Sequence, residues 1–170
     1  MVFAFAIADA LFSIGKIIRE QYRIKFHWEF ILWTFFLVLH FIVMWFLYWV
    51  RLVSVADSLG NFMLLLLPPF CTFLIVTAFF PSLEQTHHVN LEEHFNKNIP
   101  KVLLLMLIYV GILFGLEFII VTPAHEIAMI TEVIFLGLIA LNLIFKDKIW
   151  LRTLLPIVQI LNIILLLILF

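Results

Sequence analysis

The chain has 170 residues, of which 66% are hydrophobic and 12% charged, with a net charge of −1 and a mean hydropathy of +1.23. A soluble domain carries about 45–50% apolar and about 25% charged residues, so too little polar material is present to cover a water-facing surface, and the solvent for most of the chain is lipid. No polybasic run points to nucleic acid, and the single cysteine, Cys71, excludes an intramolecular disulfide and a thiolate zinc site.

About 20 apolar helical residues cross the roughly 30 Å of bilayer hydrocarbon. Runs of that kind fall at 1–18, 28–50, 59–80, 101–122, 126–145 and 149–170. They are continuous rather than alternating, which excludes a β-barrel. The predicted fold is all-α, a polytopic transmembrane bundle of six spans in one domain over 1–170. The first run lacks a basic region before its apolar stretch and a small-residue cleavage site, so it reads as a retained helix rather than a signal peptide. Asp9, Ser13, Lys16 and Glu20 recur at steps of four, three and four, a single helix face. That stripe suits the bundle interior, and it equally suits a helix lying in the interface, the alternative being five spans plus an interfacial N-terminal helix.

Trp28 and Trp33 mark one end of the second run, and Trp45, Tyr48 and Trp49 the other, as paired interfacial belts do. Pro68 and Pro69 in the third run deprive the carbonyls of Leu64 and Leu65 of their helical donors, giving a kink or a midplane break. Pro81 ends that run. The polar stretch that follows is an inner-surface segment, 82–99, with a short amphipathic helix on Val89, Leu91, Phe95 and Ile99. Pro100 and Pro123 sit where the fourth and fifth helices are expected to begin. Gly111 and Gly115 on the fourth helix, and Ala4 and Ala8 on the first, form small-residue faces suited to close packing. Pro156 in the last run frees the carbonyl of Arg152.

Of the ten lysines and arginines, nine lie in or around the first, third and fifth loops and only Arg51 in the second. Positive residues are retained on the cytoplasmic side, so those loops face inward and both termini outward, in a bacterial-type inner membrane.

The segments HWEFILWTFF (27–36), LLLLPPF (64–70), FFP (79–81) and NLEEHFNKN (90–98) resemble, in their order, a group of uncharacterised bacterial multi-span membrane proteins. That group has a Trp-flanked second helix, a Leu/Pro-rich third helix ending near Phe-Pro, and then Asp-Leu-x-x-His-Tyr-x-x-Asn. The likeness covers roughly 16–110. Asn90 replaces the acidic residue, and the basic pair expected after the final Asn is weakened to Lys97 with Asn98. The resemblance implies architecture and no activity.

An ionisable side chain near the bilayer centre costs about 2.5–3.5 kcal/mol on insertion scales, so each one faces protein, water or a partner. Asp9 and His40 lie midway along their runs, while Glu117 and Glu132 share a depth on antiparallel neighbours, with His125 on the Glu132 face. Gln159 and Asn162 share a face of the last helix with Arg152 and Pro156. One reading makes these groups a polar path for protons or a small cation, since His titrates near neutrality and buried carboxylates rise toward it. The plainer reading, which carries more weight, is hydrogen bonding that fixes helix packing. A contact to a partner subunit or ligand is the third.

His87, His88, Glu92, Glu93 and His94 lack a supporting ligand pattern for metal, and His27 with His40 finds no matching histidines for haem. No Ser-His or Glu-x-x-His pair on a span supports a hydrolase. No cofactor is expected. The expected partners are the lipid bilayer and either a membrane protein or a second copy. The function class is a small transport protein or, as the alternative, a structural or regulatory subunit of a larger membrane complex.

Overall fold

Apolar residues at helical spacing build every long element of the chain. The computed structural model describes residues 2–19, 24–52, 58–81, 89–120, 126–145 and 148–169, except for the side chains of Val2, Val89 and residues 48–52, 117–120, 126–132 and 166–169. It is all-α apart from one two-residue strand pair: α1 (Val2–Arg19), β1 (Ile24–Lys25), α2 (Trp28–Leu52), α3 (Leu59–Leu65), α4 (Leu67–Phe79), β2 (Val89–Asn90), α5 (Leu91–Ile120), α6 (Glu126–Ile144) and α7 (Ile149–Leu169). Among the described residues three stretches are long and apolar enough to cross a membrane: Trp28–Leu47, Leu59–Phe79 and Leu91–Leu116. Shorter apolar helices cover Val133–Ile144 and Ile149–Leu165.

In α1 the buried residues Phe3, Ala6, Ala10 and Ile17 fall at steps of three, four and seven, a single helical stripe. Lys16 and Arg19 occupy its last turn, where cations complement the helix dipole. The small residues that pack are Ala6 and Ala10, both almost fully buried, whereas Ala4 and Ala8 are exposed. The expected small face is therefore one notch around the helix from the real one. Asp9, Ser13 and Lys16 flank the buried stripe and are only partly buried.

The third run is divided at Leu66. Ser58 caps α3, its side chain accepting from the Asn61 N–H, and Leu66 remains in the right-handed region at φ −80° and ψ −19°. The break is therefore a gap in the hydrogen-bond ladder, with no left-handed or extended residue between the two helices. Pro68 and Pro69 fall in the first turn of α4 and are buried, where missing N–H groups cost least. Thr72 Oγ1 donates to the Pro68 carbonyl at 3.0 Å.

The fourth run differs from expectation. Its helix does not start at Pro100 after a separate amphipathic helix. Instead α5 is continuous from Leu91 to Ile120, with Pro100 inside it. The cause is a strong start signal ten residues earlier. The Asn90 side chain accepts from the Glu92 N–H at 3.2 Å, and Glu92 and Glu93 sit in the first turn, where acids favour the helix N-terminus. An unbroken buried stripe (Leu91, Phe95, Ile99, Val102, Met106) carries the helix past the proline. Gly111 and Gly115 also differ from expectation. A Cβ added at either meets nothing within 4 Å, so this face packs against no other part of the described chain.

The helices close into a ring. α1 packs on α4 and α2, α4 on α5, α5 on α6, α6 on α7, and α7 on α2, with a smaller contact across the middle between α2 and α5. The first loop meets the third through β1 and β2, which run parallel with Ile24 opposite Val89 and Lys25 opposite Asn90. An exposed Lys25–Glu92 pair at 3.4 Å lies beside them. The N-termini of α2, α5 and α7 and the C-terminus of α4 are thereby gathered at one end, hereafter the basic end. The ring's interior is largely aromatic: Trp33, Phe36, Phe41, Phe95 and Tyr109 are all at most 1% exposed.

Candidate functional site

The most concentrated polar chemistry among the described residues lies at the basic end. Glu29, in the first turn of α2, is 2% exposed. Burying a lone carboxylate is costly unless it is paired and hydrogen-bonded. Glu29 Oε2 lies 3.2 Å from His27 Nε2 and forms an ion pair with Arg152 Nη2 of α7 at 3.4 Å. Arg152 Nη1 donates to Asn96 Oδ1 of α5 at 2.7 Å, and the guanidinium stands 5.7 Å from the centre of the Phe95 ring. One arginine thus ties α7 to α2 and α5. Among the described residues Glu29 Oε1 and Arg152 Nε have no hydrogen-bond partner.

The backbone of Arg152 takes part as well. Pro156 lies inside α7 and is buried, and it lacks the N–H that would satisfy the Arg152 carbonyl. The indole Nε1–H of Trp33 donates to that carbonyl at 2.9 Å. Trp33 is fully buried, not an interfacial anchor, because its N–H is required here. The exposed tryptophans of this end are Trp28 and Trp150, at 58% and 62%.

A second bond closes the neighbouring corner. The last carbonyls of α4 lack helical donors, and His94 Nε2 lies 3.0 Å from the Phe79 carbonyl, where it serves as the donor. Asn98, one turn on, places Nδ2 at 3.2 Å from His94 Nδ1 and donates to the His94 carbonyl at 3.1 Å. A neutral imidazole suffices for this bond. Within NLEEHFNKN, Asn90 is thus the helix cap, Leu91 and Phe95 are core, His94 joins α5 to the end of α4, and Asn98 bonds to His94.

Beside the ion pair, a cavity of about 310 Å³ opens between α5, α6 and α7, lined among others by Asn96, Pro100, Leu103, Asn142, Ile149 and Arg152. Asn142 is fully buried; its Nδ2 donates to the Leu138 carbonyl at 2.9 Å, and its Oδ1 has no partner among the described residues.

The residues singled out from sequence are dispersed. His40 is buried at the centre of α2, with the rings of Phe36, Phe41, Phe135 and Tyr109 at 5.5–5.9 Å. Its Nε2 has no hydrogen-bond partner among the described residues. Gln159 is buried, while Asp9 and Asn162 are partly buried. Among the described residues, no hydrogen bond or ion pair joins Asp9, His40, Gln159 and Asn162 to one another. Glu117 and Glu132 belong to α5 and α6, but their side chains lie outside the described residues, as do His87, His88 and His125 altogether. His27 and His40 serve separate surroundings, an ion pair and an aromatic cage. Glu29, Asn96 and Asn142 were not among the sequence candidates. The available signal was an acid in the first turn of a Trp-flanked span, with a basic residue at the start of another.

No family model, curated protein or solved structure matches this chain.

Proposed function

We propose that the chain is a multi-pass protein of a bacterial-type inner membrane, with six spans and both termini outside, acting as a non-catalytic structural or regulatory subunit of a larger membrane complex. The observation that carries this reading is the use made of polar groups. Among the described residues Glu29, Arg152, Trp33, Asn96 and His94 join helices to each other at the basic end, and no hydrogen bond or ion pair links them to His40 or Gln159.

Much of the outer surface supports a lipid environment. Phe5, Phe12, Phe35, Phe46, Phe70 and Leu74 are each more than half exposed, beyond what a water-soluble monomer presents. Six spans are supported by α1, whose buried stripe runs from Phe3 to Ile17 against α2 and α4, a length of contact unsuited to a helix lying across the bundle end. The inward placement of the basic end follows from the charge asymmetry of the loops.

Two measurements test this. Reporter fusions at residue 1 and in the 53–57 loop are expected to read outside; a cytoplasmic signal at residue 1 reduces the fold to five spans. Cross-linking in membranes is expected to yield a defined membrane-protein complex, while purified protein in liposomes passes no protons or cations. The unpartnered Nε2 of His40 at mid-span favours transport as a second reading. Flux that His40→Ala abolishes would establish it in place of the first.

A further inference from the structure

The cavity between α5, α6 and α7 has features that helix packing does not use. It is lined by Arg152, whose Nε lacks an acceptor among the described residues, and by Asn142, whose Oδ1 lacks a donor among them. The Leu138 carbonyl holds Nδ2 of Asn142, so the amide cannot turn to satisfy itself. Pro100, also in the lining, takes the usual helical donor from the carbonyl of Asn96. The site therefore offers one cationic donor and two acceptors, and its complement is an oxyanion that also carries hydroxyl or ammonium hydrogens. Buried donors and acceptors are ordinarily paired, which makes their convergence on one cavity informative.

Charge and position narrow the occupant. Lys97 and Lys101 are exposed on α5 and directly follow Asn96 and Pro100 in sequence, and exposed Lys148 precedes Ile149. Glu29 already neutralises Arg152, so the net attraction for an anion comes from these lysines. Basic pockets between helices on the cytoplasmic side suit anionic lipid headgroups. Leu104 and Ile108 follow Pro100 at steps of four and are exposed, so an apolar row continues from the cavity away from the basic end, the course of an acyl chain. A volume of about 310 Å³ is at the small end of ligand cavities and suits a headgroup rather than a whole lipid.

We infer that this cavity binds the headgroup of an anionic phospholipid with free hydroxyls, of the phosphatidylglycerol class, its phosphate on Arg152 and its hydroxyls on Asn142 and the Asn96 carbonyl. This rests on the inward placement of the basic end but not on membership of a complex.

The test is native mass spectrometry of the full chain in detergent, titrated with phosphatidylglycerol, phosphatidylethanolamine or phosphatidylcholine of matched acyl chains, and separately with soluble glycerol phosphate. One phosphatidylglycerol is expected to be retained in preference to the other two lipids. Asn142→Leu and Ile149→Trp are expected to weaken retention by about tenfold or more. Ile149 is exposed at the rim, so its variant blocks the entrance without entering the core, and helix content by circular dichroism checks both proteins. Equal retention of all three lipids overturns the proposal, as does retention unchanged in folded Ile149→Trp. Soluble glycerol phosphate that displaces the lipid at equal concentration assigns the site to a free phosphate ester and overturns the lipid assignment. Arg152 is left intact throughout because Glu29 depends on it.

Discussion

Arg152 serves three partners at once: Glu29 and Asn96 through its guanidinium, and Trp33 through its carbonyl. Its two roles separate by mutation. Trp33→Phe removes the indole donor and leaves a buried carbonyl unsatisfied, a loss of about 1–3 kcal/mol. Pro156→Ala restores an N–H to the same carbonyl. Trp33→Phe is therefore expected to cost less in the Pro156→Ala background, a non-additivity measurable by denaturation in detergent; strictly additive losses would show that the indole bond is not what Trp33 contributes. For the side chain, Arg152→Met strands Glu29, with an expected loss of about 3–5 kcal/mol, whereas the double variant Glu29→Leu/Arg152→Met recovers much of it because no buried charge remains. An equal loss in both proteins would mean that packing rather than charge pairing dominates. At this scale the sequence was half legible. Pro156 declared a carbonyl in need of a donor, but the donor is 119 residues away, and no local pattern identifies it. Trp33 reads as a belt residue by position alone, since nothing nearby in the chain says that its N–H is claimed from within.

Helix α5 shows how local start and stop signals compete. A proline at the head of an apolar run is a favoured first-turn residue, which made Pro100 a natural boundary. The cap at Asn90 and the acids after it start the helix sooner, and the buried stripe on both sides of Pro100 sustains it. The glycines further along teach a related lesson. Gly-xxx-Gly spacing is visible in any sequence, but whether a neighbour approaches is a property of the assembled bundle. Here Gly111 and Gly115 meet nothing within 4 Å of an added Cβ. Gly111→Ala is accordingly expected to leave the monomer unharmed or stabilise it by about 0.5–1 kcal/mol, read as a higher midpoint in thermal unfolding. A clear loss would reveal another chain against that face. The kinked third run was more legible: two adjacent prolines put a defect there, and the structure places it at Leu66.

The closed ring depends on α1, which fills the space between α2 and α4. Ala10→Leu, at a position 1% exposed, is expected to overpack that contact and cost about 1–3 kcal/mol, while Ala8→Leu on the exposed face is expected to be silent. The reverse pattern would restore the Ala4/Ala8 face read from sequence. Composition and hydropathy disclosed the all-α, strongly apolar character of the molecule, because both are sums over many residues. The order around the ring and the pairing of Glu29 with Arg152 were hidden, because they arise between segments far apart in the chain. The same pairing bears on biosynthesis. Glu29 is made early and its cation only with the last helix, so throughout synthesis the emerging protein carries an acid without its counterion. Arrival of α7 is then the event that neutralises the bundle. Chains stopped at Lys148 are expected to be degraded faster in pulse-chase than the same truncation bearing Glu29→Leu, which would make the ion pair a checkpoint for the arrival of α7.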